Sequence, residues 1–115
     1  MKKVLIVEDE VYRYSSWQQE MDGKEVVLLF ASSIEEAEEQ FATNLAIAAI
    51  VMDACVPGDE PTTIPLVRQW RQTFTGPMIA ISSMSEYRTM LRHAGCDYES
   101  SKEDLSKKLL EILDL

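Results

Sequence analysis

The sequence predicts an α/β domain of five strand-helix units, (βα)5, folded as a five-stranded parallel sheet that is doubly wound, with helices on both faces. Two observations predict it. Short apolar runs, continuous rather than alternating as in strands buried on both faces, recur along the chain, and between them lie segments whose apolar residues repeat at helical spacing. Neighbouring parallel strands need a right-handed helical crossover, so regular alternation of the two kinds of segment gives this architecture.

Val4 to Val7 is the first apolar run and stops abruptly at Glu8-Asp9-Glu10, as a central strand would. From Val11 to Met21 the residues Tyr14, Trp17 and Met21 fall at i, i+3 and i+7 on one helical stripe, and Gly23 follows as a stop. Glu25 to Phe30 supplies the second strand. Ser33-Ile34-Glu35-Glu36 has capping-box spacing, with the Ser33 hydroxyl able to cap and Glu36 to reach back, at the head of a helix through Ala37 and Phe41. Ile47 to Met52 is the third strand and again ends in an acid, Asp53. The turn-rich Pro57-Gly58-Asp59-Glu60-Pro61 leads into a helix with Ile64, Val67, Trp70 and Phe74 on its inner face. Met78 to Ile81 is the fourth strand, ending in Ser82-Ser83. Ser85 can cap a helix to Ala94, and Gly95 is placed to end it in a left-handed conformation. Cys96 to Ser100 is a fifth strand of poorer composition. Ser101-Lys102-Glu103-Asp104 opens a last helix with Leu105, Leu109 and Ile112 on its buried side.

At 115 residues the chain suits one domain, residues 1–115, and an apolar content of 46% with 27% charged residues is that of an ordinary globular protein. The formal net charge of −9 repels phosphate backbones and anionic lipid headgroups, which argues against nucleic acid or a membrane as partner. No apolar stretch approaches spanning length, and the basic-then-apolar start breaks at Glu8 after four residues. Cys55 and Cys96 have neither zinc nor redox spacing, and reduced thiols in a cytoplasm fit them best.

Ligands of such sheets bind beyond the carboxyl ends of the strands. Glu8, Asp9, Asp53, Ser82, Ser83 and the stretch holding Lys102 should therefore converge. Carboxylates meeting at one edge repel unless a hard cation takes their charge, and oxygen ligands with water favour Mg²⁺. Such a cation could bridge to a phosphoryl oxygen, while the Ser82 hydroxyl and the Lys102 ammonium bind the others. An Asp so placed is a plausible nucleophile forming an acyl phosphate.

Four segments carry a resemblance over essentially the whole chain: Val4 to Glu10, Ile50 to Gly58, Pro77 to Ser83, and Ala94 to Asp97. In this order and at these separations the sequence resembles the receiver domain of response regulators, the CheY-like superfamily of two-component signalling, with its flavodoxin-like fold. The resemblance implies that Asp53 accepts a phosphoryl group from a histidine kinase or phosphotransfer protein. It implies Mg²⁺ bound directly by Asp9, through water by Glu8, and by the backbone carbonyl of Cys55. Ser82 matches the switch hydroxyl and Lys102 the family's lysine, and output passes to a downstream protein partner. A receiver catalyses only its own phosphorylation and dephosphorylation, so a conventional enzyme is not expected.

The chain departs from the family's pattern in places. Glu103 follows Lys102 where proline is usual, Glu99 occupies the aromatic switch position with Tyr98 one residue earlier, and Asp59-Glu60-Pro61-Thr62-Thr63 replaces a glycine-bearing loop. Simpler roles are open to single residues: Glu8 to Glu10 as solvated helix-start acids, Asp53 as a turn residue, Ser82 or Ser83 as helix caps, Lys102 as a surface lysine. His93, the only histidine, reads as a surface residue. Two other functions compete with the switch: a pseudo-receiver that binds partners without phosphate, and a small Mg²⁺-dependent phosphatase, which would usually carry an Asp at the position of Cys55.

Overall fold

The structure, a computed structural model, describes residues 1–115. Ten elements alternate as predicted: β1 (Lys2–Val7), α1 (Arg13–Glu20), β2 (Val26–Ala31), α2 (Ile34–Thr43), β3 (Ile47–Asp53), α3 (Ile64–Arg71), β4 (Met78–Ile81), α4 (Ser85–Ala94), β5 (Tyr98–Ser100) and α5 (Leu105–Leu113). All pairings are parallel, in the order β2-β1-β3-β4-β5.

Residues of one strand alternate between the two faces, and two cores result. Leu5, Val7, Ile50, Met52, Met78 and Ala80 pack against α2, α3 and α4 through Ala37, Leu66, Val67, Trp70 and Leu91. Trp70 there stacks on Phe41 with ring centroids 4.4 Å apart. On the other face Val4, Ile6, Val51, Ile79 and Ile81 meet Trp17 of α1, Met21 just after it, and Leu105, Leu109 and Leu113 of α5. The apolar runs are continuous because each strand serves both cores.

Several boundaries differ from the sequence reading, each for a local reason. The first helix begins at Arg13 rather than Val11, because the chain from Asp9 to Tyr14 closes a tight turn through the bonds Val11 N to Asp9 O, Arg13 N to Glu10 O and Tyr14 N to Val11 O. Val11 and Tyr12 are left exposed. Ser33 caps α2 by accepting from Glu36 N, but the Glu36 carboxylate reaches back to the amide and hydroxyl of Ser32, one residue earlier than a capping box requires. Ser85 does not cap α4: Met84 holds the N-cap position, and the Ser82 hydroxyl accepts from Met84 N at 3.2 Å. In α5 the fully turned-in stripe is Leu105, Leu109 and Leu113, with Ile112 only partly buried. Phe74 packs on its core from beyond the end of α3.

Gly95 does end α4 with a positive φ of 145°, although outside left-handed helical values. A Cβ there would also stand 3.1 Å from the Arg71 side chain, so glycine answers both demands. Arg71 gathers this corner: its guanidinium donates to the carbonyls of Gly95, Phe74 and Gly76 and to Asp97. The fifth strand is shorter than the run from Cys96 suggested, at three residues. Cys96 and Cys55 are both free thiols.

Candidate functional site

Strand register builds the site. Val7 pairs with Met52, so the next residues along, Glu8 and Asp53, come side by side; Asp53 in turn pairs with Ile81, which brings Ser82 to the same edge. Alternation directs Glu8 and Asp53 toward the α1/α5 face, since their predecessors Val7 and Met52 fill the opposite core. From that face comes Lys102, whose backbone is tied to α1 by the Trp17 indole N–H donating to its carbonyl at 3.0 Å.

The Lys102 ammonium lies 2.8 Å from Glu8 Oε1, 2.8 Å from Glu10 Oε1 and 3.3 Å from Asp53 Oδ2. Glu8 is fully buried, and Asp53 and Lys102 nearly so. The Glu8 backbone carbonyl accepts from the Tyr14 hydroxyl, and its Oε2 accepts from Glu10 N at 3.1 Å. Its Oε1 is close enough to Lys102 for an ion pair but has no hydrogen-bond partner. Asp53 is anchored from behind, as Thr63 donates its hydroxyl to the Asp53 carbonyl at 2.7 Å, and in front Cys55 N approaches Oδ1 at 3.4 Å. Asp9 Oδ2 accepts from Gly58 N at 3.1 Å, joining the β1 and β3 loops.

Burial is the main influence on both buried carboxyls. It pushes Glu8 up to about 8, against the pull of Lys102 and helped by the neighbouring charge of Asp53. Asp53 is raised for the same reason, with Glu8 and Lys102 opposing. Glu10 goes the other way, held at about 2 by hydrogen bonds from Lys102 and Arg13. For Lys102, burial disfavours the ammonium, but Glu10, Glu8 and Asp53 outweigh it and raise its pKa.

Ligand oxygens of Glu8, Asp9 and Asp53 lie within 4.8 Å of one another. A set of carboxylate oxygens suits a hard divalent cation, so these residues fit Mg²⁺ or Ca²⁺. Beside them opens a cavity of about 460 Å³ lined by Asp9, Glu10, Asp53, Ser82, Met84 and Lys102 among others. It has room for a small anionic group next to Asp53.

All the residues singled out from sequence therefore meet at one edge: Glu8, Asp9, Asp53, Cys55, Ser82 and Lys102. The plain surface-lysine reading of Lys102 is excluded by its burial among carboxylates, whereas His93 is exposed as expected. The Ser82 hydroxyl accepts from the amide of Met84 in the turn before α4, but neither it nor Ser83 caps the helix, which has no side-chain cap. Sequence reasoning missed Glu10 as a partner of Lys102 and Thr63 as the prop of Asp53. Only the unbroken run Glu8-Asp9-Glu10 hinted at the first. Glu99, in place of an aromatic residue, accepts from Arg88 at 3.1 Å and Arg92 at 3.4 Å, and Arg88 also donates to the Ser82 carbonyl. Tyr98 stays at the surface with the Lys108 ammonium 5.6 Å from its ring.

No protein-family model and no curated protein sequence matches the chain. Solved structures do. A putative response regulator from Chloroflexus aurantiacus is 23% identical with a TM-score of 0.79, over 99% of this chain and 98% of that one. A two-component response regulator from Clostridium difficile is 19% identical with a TM-score of 0.82, over 99% and 97%. A response regulator protein from Burkholderia pseudomallei, solved with a phosphorylated aspartic acid, a calcium ion and citrate, is 13% identical with a TM-score of 0.80, over 98% of this chain and 66% of that one. The strand order 2-1-3-4-5, the acids at the strand ends and these likenesses agree, and the chain has the receiver fold of response regulators.

Proposed function

We propose that this chain is a phosphorylation-driven signalling switch, a single receiver domain that accepts a phosphoryl group on Asp53. The observation that carries the reading is Asp53 at the end of a buried strand, with oxygens of Glu8 and Asp9 close by and the Lys102 ammonium in reach of both Asp53 and Glu8. Asp53 is the nucleophile. Asp9, Asp53 and the Cys55 carbonyl would hold Mg²⁺ directly and Glu8 through water. When bound, Mg²⁺ neutralises charge on the phosphoryl oxygens. Lys102 and the Ser82 hydroxyl take the remaining oxygens, and positioning and electrostatics supply most of the catalysis.

The donor is a histidine kinase or phosphotransfer protein in the cytoplasm, and the output is altered binding of a downstream protein. No separate metabolite is turned over. A change at Ser82 would reach α4 and β5 through Arg88 and Glu99, which link them. Intact-mass spectrometry after incubation with acetyl phosphate tests the proposal: one phosphoryl adduct is expected, dependent on Mg²⁺ and absent in Asp53→Asn. No adduct with several small donors, in folded protein, overturns it.

One observation favours a second reading, a phosphate-independent binding module. Glu99 is pinned by two arginines where the family couples phosphate to an aromatic side chain. Regulation of a partner that survives Asp53→Asn would select this reading.

A further inference from the structure

Lys102 has more claimants than the phosphoacceptor alone. Its ammonium contacts Glu10 at 2.8 Å, closer than Asp53 at 3.3 Å. Glu10 is not among the carboxylates near enough to share a cation, so binding of a metal by Glu8, Asp9 and Asp53 leaves the Glu10 claim in place. Glu10 stands at the cavity rim, its side chain 38% exposed, and the same Oε1 that meets Lys102 accepts from Arg13 Nε at 2.7 Å. One carboxylate oxygen thus serves two cations from opposite ends of the chain, a lysine before α5 and an arginine at the start of α1.

We propose that Glu10 is a positioning residue that competes with an incoming phosphoryl group for Lys102, and that Arg13, by sharing Glu10, sets how strongly it competes. The inference rests on the phosphoacceptor reading. In the step concerned an Asp53 carboxylate oxygen attacks phosphorus, the bond from phosphorus to the acetate oxygen of acetyl phosphate breaks, and acetate leaves with the electron pair. No proton is transferred. Lys102 must turn its N–H groups from Glu10 to the phosphoryl oxygens as charge builds there. Neutralising Glu10 removes this competitor, while Glu8, also 2.8 Å from the ammonium, is the same in every variant compared. Neutralising Arg13 removes the cation that shares Glu10 with Lys102.

The test compares rates of phosphoryl uptake from acetyl phosphate with Mg²⁺ for wild type, Glu10→Gln, Arg13→Gln and the double variant. Asp59→Asn serves as a charge control, since Asp59 lines the same cavity with no ion pair to Lys102. Glu10→Gln should be faster than Asp59→Asn by about fivefold, the scale of a partly exposed ion pair. Arg13→Gln should be slower than wild type, and its effect should vanish in the Glu10→Gln background. A second reading needs no metal and no donor chemistry: acetic anhydride should label Lys102 faster in Glu10→Gln than in wild type, measured against exposed Lys24 in the same protein.

Uptake by wild type with Glu10→Gln no faster than Asp59→Asn overturns the inference and leaves the phosphoacceptor reading standing. So does an Arg13→Gln effect of equal size in both backgrounds, which would be a general field effect. No uptake by either wild type or Glu10→Gln overturns both.

Discussion

Glu8 and Asp53 hold a proton more tightly than free carboxyls because they are buried with a single ammonium between them and Glu10. A metal bound there must displace that proton, so the sign of the pH effect follows. Mg²⁺ affinity should weaken as pH falls below about 8, by up to about tenfold per unit for one proton. Calorimetry in buffers of different ionisation enthalpy should register proton release, smaller in Glu8→Gln. Cys96 gives an independent case away from the site. Burial pushes its thiol up to about 12 from an ordinary 9.0. The unfolded chain then loses the proton first, so this contribution to stability is complete below pH 9 and disappears between 9 and 12. Denaturant midpoints across that range should fall less steeply in Cys96→Ala. The acids of the site were legible in the sequence because each follows a buried strand, and the sheet topology brings strand ends together. The Glu10 bridge was not, since it joins residues 92 positions apart and depends on where the Lys102 side chain turns.

At the scale of elements, α4 is fastened at two points by Arg88, to the Ser82 carbonyl and to Glu99 on β5. Arg88→Gln should loosen α4 without touching Asp53, seen as faster amide exchange in residues 85–94 while phosphoryl uptake persists. Arg71 secures the neighbouring corner through three carbonyls and Asp97. Its loss strands acceptors in a half-buried setting, so Arg71→Ala should cost about 1.5–3 kcal/mol in chemical denaturation. The order of elements could be read directly from apolar runs and helical stripes, because each strand feeds two cores and so lacks polar alternation. The start of α2 was legible too, from Ser33, which caps it, but those of α1 and α4 were not. The start of α1 is set by a turn that the site acids close, and α4 begins after Met84 with no side-chain cap for the sequence to announce.

For the molecule as a whole, the two cores share one sheet, so damage on either face should be felt as one transition. Leu109→Ala, on the α1/α5 face, should lower stability by about 2–5 kcal/mol, with a single midpoint reported by far-ultraviolet dichroism and by fluorescence. A net charge of −9 on a chain with a 12.6 Å radius of gyration also repels itself, so moderate salt should raise the melting temperature. The two indoles, one on each face, turn this architecture into an optical instrument. Trp17 hydrogen-bonds the backbone of Lys102 at the edge of the site, while Trp70 is stacked on Phe41 across the sheet. Emission from Trp17 should therefore respond when a cation or phosphoryl group rearranges Lys102, and emission from Trp70 should stay constant as an internal reference. Titrating Trp70→Phe and Trp17→Phe side by side would let the protein report its own state without a label, with the signal confined to the variant that keeps Trp17.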